Sequence, residues 1–275
     1  MKSFIVENLH YELKNNCLTI YKNQKGKITF FIDSYLEDEL KVIVEENVEL
    51  EFIEINEKEN LNINFEINNN SSVHYNVFSK ESAYSATRKF SLGENAYLLG
   101  GYADFSHGKK NLDVEVNLNK IHAQVDWHLA SLSQKDDKKI YNINFYHNEK
   151  ETKARMDNYG VCKDTSTLEF LGDAIIKKGA KKSSTKQNAK IVVFDALCKA
   201  KASPKLCIYE NDVEASHGAS EGQINPDHVF YLMSRGIDED NAKRLITLGY
   251  LNPICKYFSD ETICNKIHDC IIKEI

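Results

Sequence analysis

Strict alternation of apolar and polar residues dominates this chain from about residue 27 to residue 220. Leu61-Asn62-Ile63-Asn64-Phe65-Glu66-Ile67 and Leu112-Asp113-Val114-Glu115-Val116-Asn117-Leu118 are clean period-two runs. Val48, Leu50 and Phe52 alternate with Glu49 and Glu51 in the same way. Such runs place apolar side chains on one face of a strand and polar ones on the other. Strand-like segments recur roughly every ten residues, a spacing that suits a sandwich, a barrel or a β-solenoid. Asn-Gly and Asp-Gly hairpin dipeptides are absent, and the chain has only 12 Gly and 3 Pro. A meander of tight hairpins wants more of these, so the pattern favours a solenoid with irregular coils and no sharp repeat.

The pattern changes after residue 224. Asn225-Pro226 reads as a helix cap followed by proline at the first helical position. The helix expected over Asp227–Arg235 stops at Gly236. Asp238 caps a second helix over Glu239–Leu248 that ends at Gly249. Asn252-Pro253 repeats the start signal, and Ser259 caps a last helix whose Ile263, Ile267 and Ile271 recur at spacing four. The expected organisation is an N-terminal segment (1–26), a β-solenoid core (27–224) and a helical C-terminal region (225–275).

Composition narrows the function classes. The 275 residues are 42% hydrophobic and 28% charged, enough for a sizeable core. A formal net charge of −6 argues against nucleic acid as a partner. No stretch approaches the roughly 20 apolar residues of a membrane span, and Met1–Asn8 lacks the apolar core of a signal peptide. The expected location is therefore the cytoplasm. In that setting the seven cysteines, an odd number without a Cys-x-x-Cys pair, argue against structural disulfides and against a closed zinc site.

Two motifs carry a family resemblance. The first is Asn211-Asp212-Val213-Glu214-Ala215-Ser216-His217-Gly218-Ala219; the second is Phe230-Tyr231-Leu232-Met233-Ser234-Arg235-Gly236-Ile237. Together with Gln187, Pro204 and Leu206 they resemble the C-terminal signature of the SufB/SufD family, covering about residues 160–255. The resemblance implies a right-handed parallel β-helix followed by C-terminal helices. It implies a scaffold, not an enzyme, that holds a transient iron–sulfur cluster in a SUF-type assembly complex. It also implies partners: a SufC-like ABC ATPase, a second SufB/SufD-like chain, a sulfur donor and apo acceptor proteins.

His217 resembles the SufD position proposed to hold the cluster. Aligning Gln187, Pro204 and His217 with the SufB stretch places Cys198 on the SufB cysteine associated with sulfur and cluster. The 19 residues from Cys198 to His217 read as about one coil. Thiolate sulfur and imidazole nitrogen are both suitable iron ligands, so Cys198 and His217 are the expected metal and cluster ligands. One chain carrying both suggests a homodimer in which Cys198 of one subunit faces His217 of the other. Glu214 and Cys162 are weaker candidates. Ala215 departs from the many SufD chains that have cysteine there. The chain lacks a Gly-x-x-x-x-Gly-Lys-[Ser/Thr] loop, so the resemblance assigns nucleotide work to the partner, docked on Phe230, Tyr231, Arg235 and Gly236. Strands from about residue 27 leave no room for the helical extension of longer family members. Two rival readings stand beside this one: a structural β-solenoid without metal, and a carbohydrate-active β-helix hinted at only by Asp126-Trp127-His128.

Overall fold

The computed structural model describes residues 4–31, 39–55 and 60–274. Its chain winds as a two-sheet parallel β-solenoid closed along one flank by helices. The first strands are β1 (Phe4–Glu7), β2 (Tyr11–Lys14), β3 (Cys17–Ile20), β4 (Gln24–Phe31), β5 (Glu39–Val44) and β6 (Val48–Ile55). The middle coils are built from β7 (Asn62–Ile67), β8 (Ser72–Ser79), β9 (Ser82–Leu92), β10 (Tyr97–Asp104), β11 (His107–Leu118) and β12 (Gln124–Ser133). The last coils are β13 (Lys138–His147), β14 (Lys153–Cys162), β15 (Thr167–Ile176), β16 (Ser183–Val193), β17 (Lys199–Ile208) and β18 (Val213–Gln223). From β4 onward even-numbered strands stack in one sheet and odd-numbered strands in the other, each pairing in parallel with its counterpart one coil away.

Strands begin earlier than residue 27. β2 and β3 form an antiparallel hairpin, and β1 pairs antiparallel with β4. These three strands have four residues each, too short for alternation to register. Asn15-Asn16 makes the hairpin turn with both residues at positive φ (48° and 55°), the backbone twist that a two-residue hairpin requires.

Asparagine also turns the coils. Asn23, Asn47, Asn70 and Asn95 sit at the same corner of successive coils with φ between 52° and 61°. Asn accepts this left-handed conformation more readily than most residues. Each corner donates its N–H to a carbonyl of the next coil, from Asn47 to Asn69 O (3.2 Å) and from Asn70 to Glu94 O (2.8 Å). Side-chain amides add rungs between Asn47 and Asn23 and between Asn95 and Asn70, both 3.0 Å. The same corner recurs at His122, Glu151 and Lys182. Coils therefore lengthen along the chain, from Asn23–Asn47 to Glu151–Lys182.

Inward-facing residues of both sheets fill the lumen, with Phe52, Phe65, Tyr75, Phe90 and Trp127 stacked along it. The lumen also holds charge: Glu54 and Arg88 are fully buried and paired at 2.6 Å. His147 is fully buried too, its Nδ1 2.8 Å from Thr152 Oγ1. Burial pushes its imidazole down to about 4, whereas an unfolded histidine ionises near 6.5. The unfolded chain binds the extra proton between those values. Stability from the neutral ring is thus complete above pH 6.5 and lost as pH falls toward 4, on the order of 3 kcal/mol in all. His147→Gln should flatten the stability profile across that window, measured by urea unfolding at stepped pH. An unchanged slope would place the acid sensitivity elsewhere.

The helices are α1 (Pro226–Ser234), α2 (Glu239–Leu251), a 3₁₀ turn (Asn252–Tyr257) and α3 (Glu261–Glu274). Asn225 and Asp238 cap α1 and α2 as expected from sequence. Two boundaries differ. Gly249 does not end α2, which runs on to Leu251 because its φ is ordinary and Ala242, Thr247 and Leu251 are buried against neighbours. Asp260, not Ser259, caps α3 through Thr262 N (2.8 Å), while Ser259 Oγ bonds Glu51 of β6. Ile263, Ile267 and Ile271 pack with Ile254 and Phe258 onto the outer face of the even-numbered sheet, covering Ile53, Phe78, Ala103 and Leu132. Among the described residues no helix is long and apolar enough to cross a membrane.

Candidate functional site: the open end of the solenoid

The last coil has neighbours on one side only. Among the described residues β17 pairs only with β15, and β18 only with β16. Register fixes which side chains face the lumen. Buried Leu168 and Phe170 of β15 pair with Ala200 and Ala202 of β17, so Cys198, two residues earlier, faces inward as well. Buried Gln187, Ala189 and Ile191 of β16 pair with His217, Ala219 and Glu221 of β18. Cys198 and His217 therefore both look into the mouth of the lumen, from opposite sheets.

His217 Nδ1 lies 3.1 Å from Pro204 O across that mouth. The Gln187 amide plugs the lumen beneath it; with its nitrogen turned to Lys205 O (3.1 Å), its oxygen accepts from Ala174 N (3.3 Å). Glu221 Oε2 accepts from Ala202 N at 3.0 Å. This carboxylate was not singled out from sequence. Counting by two from His217 along an expected strand, past Ala219, reaches it.

The 19 residues from Cys198 to His217 are not one coil. One coil here takes 30 residues, as Gln187 pairing with His217 shows, and not 19. Two strands of about ten residues plus two corners set that length. Cys198 precedes Pro204 by six residues, which is about 20 Å of extended strand. The thiol and the imidazole share the open face but do not meet within one chain. Among the described residues, no three His, Cys, Asp or Glu side chains are gathered to hold a metal.

Cys198 is half-buried at the corner leading into β17, its Sγ 3.6 Å from Asp164 O. Cys162, at the end of β14 one coil below, is fully buried beside it. Its Sγ lies 3.2 Å from Ser166 Oγ and 3.4 Å from Ser166 O. Burial pushes the Cys162 thiol up to about 12, and the neighbouring Cys198 thiol adds to the shift. Glu214 is exposed, and its place next to inward Ala215 puts it on the outer face, away from His217. It does not join the site.

The expected docking residues lie on α1 and just beyond it. No residue of α1 is buried, and Phe230, Tyr231 and Met233 are 73%, 57% and 45% exposed. Arg235 stands over the Tyr231 ring, 5.3 Å from its centroid, and Gly236 takes φ +86°. The glycan-binding hint dissolves. Trp127 is fully buried in the lumen and His128 stacks on Tyr257 at 3.8 Å, so neither offers an open face beside Asp126, whose Oδ2 instead accepts from half-buried Tyr97 Oη at 2.9 Å.

Residues 32–250 match the model of the SUF system FeS cluster assembly SufBD core domain. The chain is 32% identical over 129 residues to the iron–sulfur cluster assembly protein SufD of Bacillus subtilis, covering 47% of this chain and 30% of that protein. SufD of Plasmodium berghei is 24% identical over 273 residues, 99% of this chain and 20% of that protein. SufD of Escherichia coli is 26% identical over 121 residues, 44% of this chain and 29% of that protein. The matched part is thus less than a third of each of these relatives. With the domain match spanning most of a parallel solenoid that ends in the Ser-His-Gly-Ala strand, the chain belongs to the SufB/SufD family of iron–sulfur cluster assembly proteins.

Proposed function

We propose that this chain is a cytoplasmic scaffold subunit, without catalysis of its own, on which a transient iron–sulfur cluster is built at a subunit seam. The cluster is cargo. The observation that carries the reading is that Cys198 and His217 both face the lumen on the last, uncovered coil. An unpaired strand edge is a template for another chain. Because one chain holds the two ligands about 20 Å apart, a second subunit is needed to close a site. The simplest arrangement is a two-fold pair, with Cys198 of one subunit facing His217 of its partner; a second SufB/SufD-like chain serves equally. Glu221 stands on the same face and offers a harder oxygen ligand.

Sulfur from a donor protein arrives at Cys198, iron bridges the thiolate and the imidazole, and the product passes to an apo acceptor. A site with few protein thiolates releases its cluster more readily than a four-cysteine site does. A SufC-like ABC ATPase docks on the exposed face of α1. Closure of two such ATPase subunits would twist the scaffold and open the seam.

Anaerobic reconstitution of the full chain with ferrous iron and sulfide tests the reading. The wild type, with its ATPase partner present, should retain iron and sulfide and develop a visible chromophore. The Cys198→Ala, His217→Ala double variant should lose both at unchanged circular dichroism, and Glu221→Ala should retain less iron. A wild-type complex that keeps no iron in any state would leave a structural solenoid as the better description.

A further inference from the structure

Cluster assembly needs sulfide, whereas sulfur carried on a cysteine as a persulfide is two electrons more oxidised. Those electrons must come from somewhere. The lumen corner below the open end holds a second thiol at the right place to supply them.

Cys162 and Cys198 are 36 positions apart in sequence, yet they meet at one corner: register pairs Cys162 with Val193 and sets Cys198 beside Ser166, the residue that Cys162 touches. Cys162 ends β14, and Cys198 precedes Lys199, whose N–H bonds Ser166 O at 2.9 Å. That same carbonyl lies 3.4 Å from Cys162 Sγ. Both thiols therefore bracket the 164–166 turn, Cys198 touching Asp164 O and Cys162 touching Ser166. Contacts to carbonyls two residues apart on that turn make the two thiols neighbours. Access differs: Cys198 is partly exposed at the mouth, and Cys162 is fully enclosed beneath it. An outer thiol can meet a donor protein; the inner one meets only the outer.

We propose that Cys198 and Cys162 form a receiving and resolving thiol pair that converts persulfide sulfur into sulfide inside the scaffold. The proposal rests on the reading of Cys198 as the sulfur acceptor. In the step, Cys162 Sγ attacks Cys198 Sγ of the persulfide. A Cys162–Cys198 disulfide forms, and the Cys198 sulfur–sulfur bond to the outer atom breaks. Because Cys162 is enclosed and holds its proton firmly, that proton passes to the departing sulfur as the new bond forms, and the sulfur leaves as hydrogen sulfide or hydrosulfide. Two thiol sulfurs are oxidised and the outer sulfur gains two electrons, so the exchange balances without iron or an outside reductant. A dithiol reductant resets the pair for the next turn. Delivery at the corner of the last coil releases the sulfide at the lumen mouth that His217 and Glu221 also face.

The test uses the reduced full chain and cysteine persulfide as the probe, under anaerobic conditions. Intact mass with peptide mapping reads the thiols, and a colorimetric assay reads sulfide. In the wild type, the mass of one added sulfur on Cys198 should appear and decay into a Cys162–Cys198 disulfide as sulfide is released. In Cys162→Ser the persulfide on Cys198 should accumulate and sulfide release should be lost. Cys162→Ala serves the same purpose if the serine variant folds poorly, and Cys17→Ser should behave as the wild type. Equal persulfide lifetimes in wild type and Cys162→Ser, with no disulfide between them, would overturn the resolving role while leaving Cys198 as acceptor. A wild type that takes no sulfur on Cys198 would overturn the acceptor reading itself, and the transfer step with it.

Discussion

Replacing Arg88 by methionine should cost about 3–5 kcal/mol of stability, because it strands the Glu54 carboxylate inside the solenoid. The pair is completely enclosed. Arg88 Nη2 donates to Glu54 Oε1 at 2.6 Å, and Arg88 Nε donates to Tyr75 Oη at 2.7 Å. Tyr75 in turn donates to Glu54 Oε2 at 2.6 Å, and Arg88 Nη1 donates to the carbonyls of Leu61 (2.6 Å) and Thr87 (3.0 Å). Burial alone would lower the guanidinium's affinity for its proton, but the Glu54 carboxylate beside it raises that affinity above the ordinary value. Remove the cation and the carboxylate must take up a proton or unfold its coil. For a chain of this size the loss corresponds to a fall in Tm on the order of 10 °C. The paired Glu54→Leu, Arg88→Met variant should recover most of it, since well-packed apolar residues often match a buried ion pair in stability. Thermal unfolding of the two singles and the double settles the matter. Singles within about 1 kcal/mol of wild type would mean that water reaches the pair.

This network also marks where sequence reading runs out. Alternation locates the strands because each lumen-facing position is apolar and its neighbour is solvated, as in Leu112 to Leu118. It misleads at Glu54. In Phe52-Ile53-Glu54 the charged residue points inward, and Ile53 points outward beneath α3. A glutamate in a period-two run reads as solvated until its partner, 34 positions away, is known. The coil length was hidden for a related reason. The corner residue that repeats is asparagine in the early coils but histidine, glutamate and lysine later, and its interval grows as the coils widen. Asn47, Asn70 and Asn95 form a near-regular series that the sequence reading passed over. The helices were legible because caps and isoleucine spacing are local signals. The open-end residues were legible only through motif, since nothing local distinguishes His217 from any other strand histidine. The proximity of Cys162 to Cys198 depends wholly on register and has no sequence signal.

Stripping the C-terminal helical cover should abolish cooperative folding of the solenoid, whereas disrupting α1 should leave it intact. The two outcomes follow from what each helix touches. α3 and the 3₁₀ turn bury Ile254, Phe258, Ile263, Ile267 and Ile271 against a continuous apolar strip that runs from Ile53 through Ala103 to Val161. Uncovered, that strip becomes an exposed apolar patch larger than monomers ordinarily tolerate. Its strands are long, parallel and rich in β-branched residues, so the truncated chain should aggregate and bind hydrophobic dyes. Ile267→Ala is the graded version. Ile267 is fully buried, and its truncation should cost about 2–5 kcal/mol. Deleting residues 237–275 therefore reports on stability and says nothing clean about docking. The docking surface is better probed at α1, where no residue is buried. Phe230→Asp with Tyr231→Ala should leave Tm unchanged while weakening capture of the ATPase partner, read by co-purification or titration calorimetry. Unchanged capture by a variant that still melts like the wild type would move the partner surface off α1, and a large fall in Tm would mean that α1 packs more firmly than its exposed Phe230, Tyr231 and Met233 imply.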